Sequence, residues 1–318
     1  MELRKDYVLN RYVIVAPVRG SRPYDFSQKI FDDQSEKVCY FCPGNEQLAS
    51  AEKGHIGEPW KIRWFDNKYP ALEPTGKSVI TTDNTFFTFS DAYGYHEVIV
   101  ETNEHWKQLF DFSERDMKEL LEVYKQRIED LSAKEHIAYV HVFKNHGREA
   151  GTSIRHTHTQ IMALNHIPHL IAEELAAVAA YERCPYCDIL NIEKTSHRRC
   201  FENAGFVAFT PYASRFNYEL WIFPKKHYLS ITELDGYELF ELADILKKAL
   251  LKLRDVNVSY NLFIHNSPQP YIGSGKRGLH FHIEITTRID LWGGFEHGSE
   301  SYINRITPED AARFYRGE

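Results

Sequence analysis

Two long segments of the chain carry the same succession of hydrophobic patterns. Residues 95–131 and 218–253 each open on an apolar run of strand length and reach a histidine at a turn. Each then continues into a stretch whose apolar residues recur at helical spacing. In the first, Met117, Leu120, Leu121, Tyr124, Ile128 and Leu131 form one helix face, and Ser113 followed by Asp116 predicts a capping box at its start. In the second, Leu239, Leu242, Leu246 and Leu250 mark the buried stripe of a helix beginning soon after Thr232. A strand follows each helix ("AYVHVF", "YNLFIH"), then a glycine-containing loop, then a last strand, "RHTHTQIMAL" or "LHFHIEITTR".

The polar residues that interrupt these patterns also correspond. Cys39 and Cys42 match Cys184 and Cys187, His105 matches His227, His156 matches His280, His158 matches His282, and Gln160 matches Glu284. His105 and His156 are 51 residues apart, and His227 and His280 are 53 apart. An ordered set of this kind predicts a duplicated unit. The expected fold class is α+β, two lobes of mostly antiparallel sheet with packed helices. The expected domains are 1–165 and 166–318, joined near 165–183 by a segment with a short helix.

Composition narrows the function. The 318 residues hold 38 Lys and Arg against 45 Asp and Glu, a net charge of -7. Nucleic-acid affinity comes largely from neutralising phosphates, so no nucleic-acid partner is expected. The N-terminal run is charged where a signal peptide needs an apolar core, and "LIAEELAAVAAY" is too short and acidic to span a bilayer. A soluble cytoplasmic protein without a membrane partner is the expectation. Five cysteines in a reducing compartment, four of them in C-x-x-C pairs, point to metal ligation rather than disulfides, with Cys200 left as a buried small side chain.

Each half thus offers two thiolates and two imidazoles, a Cys2His2 set suited to tetrahedral Zn²⁺. The first set is Cys39, Cys42, His105 and His156; the second is Cys184, Cys187, His227 and His280. Four protein ligands close the coordination shell, so both sites are expected to be structural.

Side chains alternate faces along a strand, so His156, His158 and Gln160 should point one way. With His156 given to the metal, His158 is left free beside a rigid centre. The preceding loop, "KNHGREAGTS", offers backbone N–H groups and hydroxyls to a phosphate. A neutral imidazole facing such a cradle suits nucleophilic attack on phosphorus, with Gln160 hydrogen-bonding the phosphoryl oxygens.

"HTHTQ" resembles the H-x-H-x-Q motif of the histidine-triad superfamily. "DYVLNRYVIVAPVRGSRP", "CYFCPGNE", "RWFDNKYPAL", "FKNHGREAGTSIRHTHTQ" and "GGFEHGSESYINRITPED" resemble, in order, its galactose-1-phosphate uridylyltransferase branch. The resemblance implies duplicated histidine-triad units, a homodimer, and ping-pong transfer between a nucleotide sugar and a sugar phosphate through a nucleotidylyl-histidine. It makes His158 the nucleophile and puts Gln160 on the transferred phosphoryl. Asn145, Gly151, Thr152 and Ser153 would line the phosphate path, and Arg19 and Arg22 would contact nucleotide phosphate, often across the dimer interface. Tyr40, Asn67 and Tyr69 would lie near base and ribose, and Phe295 and Glu296 near the sugar. In some members the second His-x-His helps hold a metal, which would bring in His282, with His265 as a weaker candidate and the second metal's identity open. The first reading is UMP exchange between UDP-glucose and galactose 1-phosphate or a similar hexose 1-phosphate. Thr157, where galactose enzymes carry Pro, and Thr152, where they carry Cys, are departures shared in spirit with a plant-type ADP-glucose phosphorylase. The alternative is therefore adenylyl transfer to phosphate from ADP-glucose or a dinucleoside polyphosphate. A non-catalytic nucleotide sensor would have no need of His158.

Overall fold

The capping box expected at Ser113 is in place: its hydroxyl accepts from the Asp116 N–H, and the Asp116 carboxylate accepts from the Ser113 N–H. A second box, Asp235 with Glu238, starts the other long helix. In the computed structural model, which describes residues 1–21, 38–275 and 277–318, these caps launch two helices that pack side by side on one face of a large sheet.

The strands in chain order are β1 (Glu2–Lys5), β2 (Tyr12–Val15), β3 (Glu52–Ile56), β4 (Ile62–Asp66), β5 (Thr81–Asp83), β6 (Phe87–Phe89), β7 (Gly94–Val100), β8 (Tyr139–His146), β9 (His158–Leu164), β10 (Arg199–Glu202), β11 (Phe206–Phe209), β12 (Leu220–Pro224), β13 (Tyr260–His265), β14 (His282–Thr287) and β15 (Tyr302–Asn304). The helices are α1 (Glu114–Ser132), α2 (His169–Ala179), α3 (Pro185–Glu193), α4 (Gly236–Val256), α5 (Gly294–Ser299) and α6 (Pro308–Arg316). The expected linker helix is α2.

Ten strands form one antiparallel sheet in the order β10-β11-β12-β14-β13-β8-β9-β7-β4-β3. Read inward from each edge, its two halves repeat one order, with β3, β4, β7, β9 and β8 answering β10, β11, β12, β14 and β13. The halves meet where β8 pairs with β13, Phe143 opposite Phe263. The repeated units are therefore the two ends of one continuous sheet. A small sheet of β1, β2 and β15 and the β5–β6 hairpin lie outside it.

Alternation sorts the sheet's side chains. Ile62, Trp64, Ile99, Ile161, Ile264, Phe281 and Ile283 join the faces of α1 and α4 in the main core, as does Cys200. On the opposite face, α2 and α3 cover the second half through Val207, Phe209, Trp221 and Phe223. Over the first half, the described residues supply a smaller apolar cluster with Cys39, Phe41 and Phe65, and among them that difference opens the site. β9 begins at His158, so His156 and Thr157 stand just before the strand.

Candidate active site

Both four-residue ligand sets assemble. In each of the sets Cys39, Cys42, His105, His156 and Cys184, Cys187, His227, His280, one ligand atom per residue lies within 4.8 Å of all the others. Cys42 Sγ is 3.2 Å from His105 Nδ1 and 3.6 Å from His156 Nδ1. Cys187 Sγ is 3.5 Å from His227 Nδ1 and 3.6 Å from His280 Nδ1. The other ring nitrogen of each strand-entry histidine donates to a carbonyl, His156 Nε2 to Thr102 at 2.7 Å and His280 Nε2 to Pro224 at 3.0 Å. Those bonds fix the tautomer and leave Nδ1 as a lone-pair donor, the usual outer support of a metal-binding imidazole. Burial and the adjacent Cys184 push the Cys187 thiol well up, a crowding that a divalent cation would relieve. The donor sets fit metal ions.

His158 stands apart from the first set while sharing its frame. Phe41 packs edge-on against both His156 and His158, with centroids at 6.2 and 5.2 Å. His158 Nδ1 lies 2.9 Å from the His156 carbonyl, which can only accept, so Nδ1 carries the proton and Nε2 keeps its lone pair. Burial first, then the nearby Lys144 charge, pushes the imidazole down to about 4, so it is neutral near pH 7. The ring lines a cavity of about 260 Å³ together with Tyr40, Asn67, Tyr69, Ser153 and Gln160.

Gln160 has a partner that the sequence did not reveal. His96, on the pocket face of the neighbouring β7, accepts the Ala71 N–H at Nδ1 (3.2 Å) and donates from Nε2 to Gln160 Oε1 (2.9 Å). Asn67 Nδ2 also reaches that oxygen, at 3.3 Å. With its carbonyl held, the Gln160 amide NH₂ is left to donate. A neutral imidazole and an oriented amide donor in one pocket suit attack on phosphorus. The only sequence signal for His96 is its place in the apolar alternation of "YHEVIV".

The pattern described as "Galactose-1-phosphate uridyl transferase, N-terminal domain" matches residues 1–168. The chain belongs to the galactose-1-phosphate uridylyltransferase family. Within that family it is 34% identical to an ADP-glucose phosphorylase of Arabidopsis thaliana, over 99% of this chain and 92% of that one. The crystal structure of an Arabidopsis thaliana ADP-glucose phosphorylase with bound ADP-glucose superposes with a TM-score of 0.86, covering 100% of this chain and 99% of that one. A galactose-1-phosphate uridylyltransferase of Thermotoga maritima is 28% identical over 99% of this chain and 98% of its own.

The His-x-His pair recurs in the second half, with Glu284 in place of the Gln and the His282 ring buried. His282 repeats the His158 bond, Nδ1 to the carbonyl two residues back at 2.9 Å. Register equates Val98, opposite Gln160, with Trp221, opposite Glu284. Two residues on, Val100 becomes Phe223, whose ring stacks on His282 at 4.4 Å and 10°. Tyr186 of α3 closes the remaining side at 5.7 Å. Arg215 Nη2 holds Glu284 at 2.7 Å, and Glu174 holds His265 Nδ1 at 3.0 Å. His265, His282 and Glu284 form a group separate from the second Cys2His2 set, which His280 completes.

Other residues singled out in the sequence disperse. Asn145 and Gly151 line a different cavity, of about 590 Å³, at the β8–β13 seam, with Arg288, Trp292 and His297. The Thr152 hydroxyl donates to the Asn145 carbonyl, which ties the loop to β8. Gly151 sits at φ +90°, a left-handed conformation that lets the loop turn there. Arg19, in the turn Pro17–Ser21, and Phe295 and Glu296 line neither cavity; Glu296 caps α5 by accepting the Gly293 N–H at 2.9 Å. Arg22 lies outside the described residues. No helix among the described residues is long and apolar enough to cross a membrane.

Proposed function

We propose that the protein is a nucleotidylyltransferase that works through His158 by a two-step exchange, with ADP-glucose as first donor and phosphate as acceptor. The observation that carries the chemistry is His158 itself, its Nδ1 tied to the His156 carbonyl and its ring on the pocket wall. Nε2 attacks the α-phosphorus, a P–N bond forms, the bond to the bridging oxygen breaks, and glucose 1-phosphate leaves. Phosphate oxygen then attacks the same phosphorus, the P–N bond breaks, ADP leaves, and the neutral imidazole is restored. Gln160 donates to the phosphoryl oxygens as charge builds there. Asn67, Tyr40 and Tyr69 accept the nucleoside, and Ser153 meets its phosphates.

The adenylyl donor is placed first on the 34% identity to the Arabidopsis ADP-glucose phosphorylase along nearly the whole chain. UMP exchange between UDP-glucose and a hexose 1-phosphate is the second reading, supported by the family pattern and the Thermotoga relative. In both, residues 1–165 carry the chemistry and 166–318 support it. Zn²⁺ is the inferred occupant of both Cys2His2 sets, holding loop and strand entry together and entering no step of transfer. Arg19 and Arg22 are assigned to nucleotide phosphate across a homodimer interface, and Phe295 and Glu296 to the sugar.

Intact mass after incubation with ADP-glucose or UDP-glucose separates the readings. An adenylyl adduct, absent in His158→Ala, is expected. A uridylyl adduct alone moves the assignment to the second reading. An adduct persisting in His158→Ala removes the nucleophile.

A further inference from the structure

On the face of β9 turned away from the pocket lies a buried charge cluster. Lys144 of β8 is 2 % exposed and Glu101, which follows β7, is 1 % exposed. The Lys144 ammonium donates to the Glu101 carboxylate at 2.6 Å, the Thr157 hydroxyl at 2.7 Å and the His158 backbone carbonyl at 3.1 Å. All three of its N–H donors are thereby used. Glu101 also accepts from the Thr157 and Thr159 hydroxyls, each at 2.5 Å, and from Tyr124 of α1 at 2.8 Å. Residues 157, 158 and 159 are gripped from behind while the His158 ring faces the pocket.

The repeat supplies an internal control. Gln160 faces Phe143 as Glu284 faces Phe263, and Val98 faces Gln160 as Trp221 faces Glu284. On that register Lys144 corresponds to Ile264, Glu101 to Pro224, Thr157 to Phe281 and Thr159 to Ile283. Ile264, Phe281 and Ile283 are fully buried in the main core. The same strand arrangement therefore builds with apolar side chains in these places, and such packing is generally no less stable than a buried ion pair. The polar version occurs in the half whose histidine meets an open cavity, and the apolar version in the half whose histidine is enclosed. Thr157 also leaves φ unrestricted between the two histidines, where a proline ring would fix it.

We propose that Lys144, paired with Glu101, is a positioning residue for nucleotidyl transfer, holding the backbone of 157–159 so that His158 keeps Nε2 in line with the phosphorus. This rests on the reading of His158 as nucleophile. Lys144 does not line the pocket, and its hydrogen bonds reach the site through the strand.

Three variants test it: Lys144→Met, Lys144→Met with Glu101→Gln, and Thr157→Val. Each is compared with the native protein for kcat, KM, the quenched-flow rate of adduct formation on His158, and melting temperature. Lys144→Met should lower kcat and the adduct rate by about 100-fold, the scale of a 1 Å misplacement, with KM changed by less than about threefold. The double variant should regain melting temperature, because no buried carboxylate is left unpaired, while kcat stays low. Thr157→Val, apolar like Phe281, should fold and lose about tenfold in kcat. If the Lys144 variants do not fold, Thr157→Val decides. Folded variants that form the adduct at about the native rate overturn this proposal alone. A native protein that forms no adduct with any nucleotide-sugar donor overturns the His158 reading and this proposal with it.

Discussion

Gln160 owes its orientation to His96, and this contact belongs to the register of two strands rather than to any motif. The Ala71 N–H on Nδ1 forces the His96 proton onto Nε2, and that proton holds Gln160 Oε1. Burial pulls the His96 pKa down, which keeps the ring neutral and this tautomer dominant at pH 7. His96→Leu should therefore free the amide to turn its oxygen toward the phosphoryl group. A fall in kcat of about tenfold is expected, roughly 1.4 kcal/mol of transition-state stabilisation, with little change in KM. Steady-state kinetics with whichever donor labels the native protein checks this; unchanged kcat would mean that Asn67 alone orients Gln160. His158, free of the metal set, was legible in "HTHTQ" because strand alternation and metal ligation are local rules; its Nε2 lone pair came only with the bond of Nδ1 to the His156 carbonyl. His96 was not, because nothing in its own neighbourhood says which residue lies across the sheet.

The long helices illustrate control at the level of elements. The Asp116 carboxylate closes the α1 cap and also takes an ion pair from Lys61, beside β4, at 2.5 Å. Partial burial works against the charged form, but hydrogen bonds from Lys61 and Ser113 outweigh it and hold the pKa down to about 2. A depressed carboxylate stabilises the folded state above its unfolded pKa and loses that contribution as pH falls toward the folded value. Asp116→Asn should therefore melt below the native protein at pH 7, and the gap should close between about pH 4 and pH 2. A gap independent of pH would show that the cap, not the charge, carries the effect. Ser113, Asp116 and the helical stripe were readable in advance, since caps and periodicity act within a few residues. The strand start was less so: "RHTHTQIMAL" reads as one strand, yet pairing with β7 begins at His158, leaving His156 free to turn to the cysteines.

For the molecule as a whole, the duplication makes two similar scaffolds and the covering layer makes them unequal. Valines over the first half leave room above His158; Trp221, Phe223 and Tyr186 fill that room above His282. The two metal sites should accordingly differ in consequence. His156→Ala should lose about one metal equivalent and the nucleotidyl adduct together, because the first set frames the pocket. His280→Ala should lose one equivalent and some melting temperature but keep the adduct. Elemental analysis with intact mass reads both; two equivalents retained in His156→Ala would remove that residue from the ligand set.

The sequence by itself pointed to the repeat, both ligand sets, the Ser113 cap and His158 as the proposed nucleophile, because each is written in spacing, alternation or donor chemistry along a short stretch. Only the tertiary structure decided that the halves fuse through β8 and β13 into one sheet, that α3 closes the second site while a loop leaves the first open, and that His96, Lys144 and Glu101 stand around the reacting strand. Those outcomes depend on register and on what packs across a face. Period-two alternation says that a side chain leaves the sheet on one side; it does not say what it meets there.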